Sequence, residues 1–238
     1  MAADAPEFYK RYFKCATVTK TSTGVSIGTI DLPPHQSAYY ASTDPNYVAF
    51  DTHGGTYHKN PNTLSQQSIT VKVPDAPVWG GVTITSDYVD GKAGTNSLEY
   101  KLGAIGVALD GVALYSGTAA PGDDIAQEAY TFDSYAAHPD PSGAYHYHAP
   151  TPGPLEVTTA IGEDGVELYG VLCDGTLVLG CNELDKSAPS GSLDAQGGHV
   201  GDIEAADGTL FFTARYHVHV CASGHGFTPE VHYYDACQ

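Results

Sequence analysis

The sequence predicts an all-β single domain over residues 1–238, a sandwich or barrel-like fold with an internal pseudo-duplication. Three observations carry this. The chain has 27 Gly, 15 Pro and 17 Tyr but only 10 Lys+Arg and one Met, a balance that favours strands and turns over helices. Apolar and polar residues alternate with the strand period of two in several runs. A hairpin, an Asp…His loop and a His-x-His strand then occur twice in the same order.

In order along the chain, residues 1–44 form an arm and N-terminal strands. Phe8-Tyr9-Lys10-Arg11-Tyr12-Phe13-Lys14 reads as a short helix or arm whose aromatic rings dock on the body. Residues 17–30 alternate Val, Thr, Ser and Ile as strands do, until Pro33-Pro34 breaks them. Tyr47-Val48-Ala49-Phe50 reads as a strand, and 51–63 as a turn-rich loop. In 68–73, Ile69, Val71 and Val73 alternate with Thr70 and Lys72, the pattern of a half-buried strand. Val82-Thr83-Ile84-Thr85 follows the single Trp79, and Asp90-Gly91 signals a hairpin.

Pseudo-repeats are expected at about 103–155 and 159–238. Residues 105–115 and 161–169 both read as hydrophobic strands meeting at an Asp-Gly turn. Asp133 to His138 is matched by Asp194 to His199, and Tyr145-His146-Tyr147-His148 by Tyr216-His217-Val218-His219. The offsets of 54, 61 and 71 imply insertions in the second copy at 173–190 and 201–210. Residues two apart on a strand share a face, so both imidazoles of a His-x-His strand point the same way.

A net charge of −18 opposes phosphate binding and argues against a nucleic-acid or anionic-lipid partner. No apolar run is long enough to span a membrane. Residues 1–4 lack the basic start and apolar core of a secretory leader. Five cysteines without a Cys-x-x-Cys pair argue against a structural zinc knuckle. The short intervals 173–181 and 221–237 suit disulfides made in an oxidising compartment, with the tail pinned by Cys221–Cys237 and Cys15 left over. The chain is therefore read as secreted or periplasmic.

His138-Pro139-Asp140-Pro141-Ser142-Gly143-Ala144-Tyr145-His146-Tyr147-His148 resembles the signature of the YHYH-domain family of largely secreted bacterial proteins. Asn60-Pro61-Asn62-Thr63, Gly106-Val107-Ala108-Leu109-Asp110-Gly111-Val112 and Asp164-Gly165-Val166-Glu167-Leu168-Tyr169-Gly170 resemble further landmarks of that family in the same order, over about 45–238. Val218 replaces a frequent aromatic, and Cys181-Asn182-Glu183-Leu184-Asp185 departs from the family's order of letters. The family name states a motif and brings no activity with it, so the chemistry rests on the residues.

His138, His146, His148, His199, His217 and His219 are the candidate metal ligands. Imidazoles titrate near pH ~6.5, so all can be neutral ligands at pH 7. Two His-x-His strands brought together make one site for a copper or zinc ion; two sites of three histidines, one per copy, are the alternative. Asp133 and Asp194 are placed to accept the second ring N–H of the ligands. His53 and His58 are candidates to complete a site, whereas His35, His225 and His232 read as surface or packing residues. An open coordination position would make the protein a metalloenzyme acting on a small molecule or polysaccharide, with Tyr145 or Tyr216 carrying a proton or a radical. The competing reading is an extracellular binding or surface-structural module whose histidines only stabilise the fold. No Gly-x-Ser-x-Gly, P-loop or dinucleotide fingerprint occurs.

Overall fold

The structure is a computed structural model and describes residues 1–77, 103–117, 119, 123–194 and 197–221. The expected strand at 82–85, the Asp90-Gly91 hairpin, His225, His232 and the tail lie outside the described residues. The described chain is mostly strand, in two sheets. β1 (Ala16–Lys20), β2 (Gly24–Thr29) and β3 (Ile69–Pro74) form an antiparallel sheet in that order. The second sheet has eight strands: β4 (Ala104–Ala108), β5 (Ala113–Tyr115), β6 (Ala137–Pro139), β7 (Tyr145–Tyr147), β8 (Leu168–Leu172), β9 (Leu177–Leu179), β10 (Gly198–Glu204) and β11 (Leu210–His219). Its order is β10-β11-β9-β8-β4-β5-β7-β6. Three short α-helices accompany them: α1 (Glu7–Tyr12), α2 (Ile125–Glu128) and α3 (Pro152–Ala160).

The alternation read from the sequence places the core. Val18, Val25, Ile27, Val71 and Val73 of the small sheet pack against Val107, Val171, Leu177 and Leu179 of the large one. The α1 aromatics Phe8 and Tyr12 join the same cluster, Phe8 against Phe211 and Phe212. The other face of the large sheet carries Tyr145, Tyr147, Tyr216 and Val218, covered by Tyr39. The molecule is thus a sandwich, with apolar residues on both faces of its larger sheet.

The strand order is the same read from either side of the β4–β8 pair. Gly106 pairs with Leu172, Val107 with Val171 and Ala108 with Gly170. A step of 64 residues exchanges the members of these pairs, so a local dyad passes between Val107 and Val171. The likeness extends outward. Both halves have a register shift at the equivalent place, between Ala104 and Gly106 and between Leu168 and Gly170. Both hairpins turn on Asp-Gly: Asp110 Oδ1 accepts from Val112 N–H and Asp174 Oδ1 from Thr176 N–H, with Gly111 at φ 84° and Gly175 at φ 95°. β5 runs parallel to β7, and β9 parallel to β11.

The structure differs from four expectations. The second hairpin is β8–β9, not 161–169; residues 152–160 are α3, and Asp164-Gly165 turns the chain from that helix into β8. The insertion in the second copy is the long β10–β11 hairpin; none lies at 173–190, since Asp174 to His199 is three residues shorter than its equivalent, Asp110 to His138. Tyr47 makes an isolated bridge with Ser37, and among the described residues 47–50 belongs to no sheet. Cys181 pairs with Cys221, not Cys173 or Cys237, since the parallel β9–β11 pair brings both strand ends together. Cys173 is also disulfide-bonded, and Cys15 is the free thiol, as its place as the odd cysteine suggested.

Asp31 joins the N-terminal strands to the large sheet. It is fully buried at φ 55°, and its Oδ1 accepts from Ala113 N–H at 2.8 Å. Burial raises its pKa to about 8 against the opposing Ala113 N–H, with Asp110 and Asp140 adding to the rise. A raised folded-state pKa gives stability that is full below the unfolded value of ~3.9 and is lost as pH climbs through about 8. Asn is isosteric, tolerates this backbone region and does not ionise. Asp31→Asn should therefore gain melting temperature relative to wild type from pH 5 to 8, by about 2–4 °C for each kcal/mol in a domain of this size. Paired thermal melts across that range check it; a pH-independent gap contradicts it.

Candidate metal centres

β6 and β7 pair antiparallel with His138 opposite His146. His148 lies two residues further on, so all three imidazoles stand on one face. Their ring centroids are 4.7–5.4 Å apart, and one ligand atom from each lies within 4.8 Å of the others. The residues are 6%, 3% and 4% exposed. Phe132 stacks on His148 and meets His138 edge-on, and Tyr115 stacks on His146 at 3.8 Å.

The hydrogen bonds fix which nitrogen carries the proton. His146 Nδ1 lies 3.0 Å from the Ala144 carbonyl and His148 Nδ1 2.7 Å from the Ser116 carbonyl; a carbonyl only accepts, so both Nδ1 atoms donate. His138 Nδ1 lies 2.6 Å from Thr131 Oγ1, whose single proton goes to the Glu128 carbonyl. Thr131 must then accept, and His138 too is protonated on Nδ1. Burial drives the imidazoles to the neutral form, His138 to about 3, His148 to about 4 and His146 well below its ordinary value. Three Nε2 lone pairs are left for one ion. His148 Nε2 is buried without a hydrogen-bond partner among the described residues.

The second half repeats this with a fourth donor. His199 on β10 pairs with His217 on β11, and His219 follows two residues on. His217 Nδ1 donates to the Arg215 carbonyl at 2.9 Å and His219 Nδ1 to the Gly180 carbonyl at 2.9 Å. Gly180 follows β9 as Ser116 follows β5, so the backbone anchors are equivalent. Glu183 enters from the loop after β9. Its oxygens lie 2.9 Å from His199 Nε2, 3.0 Å from His217 Nε2 and 3.6 Å from His219 Nε2, and the His199 and His219 Nε2 atoms are 3.2 Å apart. A tetrahedral ion with bonds of ~2.1 Å holds its donors ~3.4 Å apart. Four donors at these spacings suit one dication. Without it, the His217 lone pair would face a carboxylate oxygen, and burial lowers the pKa of both His217 and His219 against the protons that would otherwise intervene.

Residues 82–195 match the family model described as YHYH protein. Over this stretch, a little under half of its length, the chain is similar to the YHYH family. No curated protein and no solved structure matches it. The matched stretch is narrower than the resemblance over 45–238. It holds the whole first cluster, including the YHYH motif itself, and Glu183 of the second; His199, His217 and His219 lie beyond it.

The six expected histidines fall into two groups of three and do not meet around one point. In the large sheet β7 and β11 are separated by β5, β4, β8 and β9. Five strand spacings of ~4.8 Å put the clusters about 24 Å apart along the sheet. The single site built from both His-x-His strands is thereby overturned, and the arrangement of one cluster per copy takes its place.

Asp133 and Asp194 act on the other side of the strands. Asp133 accepts from Tyr145 Oη at 2.7 Å and from Ser37 Oγ at 2.5 Å, and Asp194 accepts from Tyr216 Oη at 2.8 Å. The orienting bonds expected from them come instead from main-chain carbonyls and Thr131. Each aspartate fixes the tyrosine before its His-x-His, which orients the strand and, with it, the imidazole face. His53 and His58 are exposed and belong to neither cluster. His35 is buried, stacked on Tyr135, with Nε2 2.8 Å from Tyr147 Oη. Glu183 escaped sequence reasoning because it lies in a loop with no periodicity; its one signal is its place after the strand that runs beside β11.

Proposed function

We propose that this chain is a secreted metal-binding protein holding two transition-metal ions, copper or zinc, one in each half of its large sheet. The first ion is bound by His138, His146 and His148; the second by Glu183, His199, His217 and His219. The observation that carries the reading is the set of Nδ1 hydrogen bonds, which leaves the proton off Nε2 of each first-cluster histidine, in a trio whose ligand atoms lie within 4.8 Å of one another. If the histidines only stabilised the fold, the unpaired buried His148 Nε2 would cost on the order of 1–3 kcal/mol. An ion turns that cost into bonds. Neutral imidazole suits copper and zinc, and a carboxylate as fourth donor suits zinc. Disulfide-bonded Cys173, Cys181 and Cys221 support an oxidising compartment. No described helix is long and apolar enough to cross a membrane.

Metal analysis of tag-free protein tests this. Wild type should carry two equivalents, His146→Ala and His217→Ala one each, and the double variant none. The site left in each single variant serves as its folding control. No metal in wild type, or two equivalents in either variant, defeats the proposal.

A further inference from the structure

The two halves differ at one ligand position. Ser116 and Gly180, whose carbonyls anchor His148 and His219, are equivalent under the 64-residue step. Three residues further on, the second half has Glu183, whose carboxylate meets all three imidazoles. The first half has Ala119 at the same count, a buried methyl with no donor atom. The step between them also carries Cys181, bridged to Cys221, against Gly117 in the first half. Among the described residues the second cluster therefore has four donors and a covalent clamp, and the first three donors and no clamp.

Resting on the metal reading above, we propose that the first cluster is the reactive one, with its fourth coordination position left for a small exogenous donor, and that the second is a closed structural site. A metal with three protein ligands completes its shell with water or substrate, whereas four protein ligands close it. Glu128 borders the open side. Its Oε2 lies 3.9 Å from His148 Nε2, and it is not among the donors that lie within 4.8 Å of one another. That places a carboxylate to hydrogen-bond a water or other donor on the ion. With the three histidines only 3–6% exposed and flanked by Tyr115 and Phe132, the position admits ligands of a few atoms, such as water, hydroxide or a small anion.

Cobalt(II) with sodium azide as probe tests this. His217→Ala isolates the first site and His146→Ala the second, each loaded with one equivalent of cobalt(II) and titrated with azide in the visible band. Azide should change the spectrum of the His217→Ala protein and leave that of His146→Ala unaltered. Adding Ala119→Glu to the former should weaken the azide response at least tenfold; adding Glu183→Ala to the latter should create one. Glu128→Gln should retain the cobalt. Failure of cobalt to bind either protein defeats the metal reading, and this inference falls with it. Cobalt bound with an azide response at both sites or at neither, or lost in Glu128→Gln, overturns the inference alone.

Discussion

Stripping metal with a strong chelator should lower the melting temperature by roughly 10–30 °C. An ion that binds only the folded chain stabilises it by about 3–4 kcal/mol at 100 to 1,000 times its dissociation constant. Two sites about 24 Å apart share no ligand, so their contributions add. Each kcal/mol moves the midpoint by about 2–4 °C in a domain of this size. The loss also leaves the buried His148 Nε2 without a hydrogen-bond partner among the described residues, and sets His217 against Glu183 in the second cluster. His146→Ala should show about half of the wild-type chelator shift, because one site remains. Differential scanning calorimetry with and without chelator gives the answer, and coincident melts for wild type would count against both sites.

The second large effect lies at the dyad. A Cβ on Gly170 would stand 2.3 Å from the Val107 carbonyl oxygen and 2.8 Å from Ala108 Cα; one on Gly106, 2.5 Å from the Val171 oxygen and 2.9 Å from Leu172 Cα. These neighbours are backbone of the facing strand and cannot swing aside. Gly170→Ala must push β4 and β8 apart where the two halves of the sheet join. A cost of about 3–4 kcal/mol is expected, the upper range for overpacking. Gly106→Ala should cost a similar amount, since the dyad makes the two positions equivalent. Gly28→Ala is the control: it also lies on a strand, and its Cβ would meet nothing closer than 3.9 Å. Urea unfolding of the three variants checks the ranking, and equal midpoints for Gly170→Ala and Gly28→Ala would contradict this view of the sheet centre.

The sequence was informative where the physics is local. Alternation located β1, β2 and β3, and His-x-His spacing identified the imidazole pairs of β7 and β11. The equal spacing of Asp133–His138 and Asp194–His199 marked true equivalents, although the aspartates hold Tyr145 and Tyr216 rather than the rings. What failed depended on pairing between distant segments. An Asp-Gly turn looks alike after a helix and between strands, so Asp164-Gly165 has the sequence pattern of the second hairpin. The true equivalent of Asp110-Gly111 is Asp174-Gly175, ten residues later. The dyad, which puts the two His-x-His strands on opposite sides of the sheet centre, is therefore not legible in the sequence. Glu183 reaches the histidines because β9 runs beside β11 and carries its loop to them, a pairing that no local pattern shows.

Each half of the sheet is expected to bind its own ion. Crystals of metal-replete protein, with anomalous maps collected across the copper and zinc edges, test it most directly. Two peaks are expected about 24 Å apart. One should touch Nε2 of His138, His146 and His148, and the other Glu183 with Nε2 of His199, His217 and His219. A single peak shared by both His-x-His strands, or clusters without anomalous density whose Nε2 atoms bond to protein groups, would contradict it.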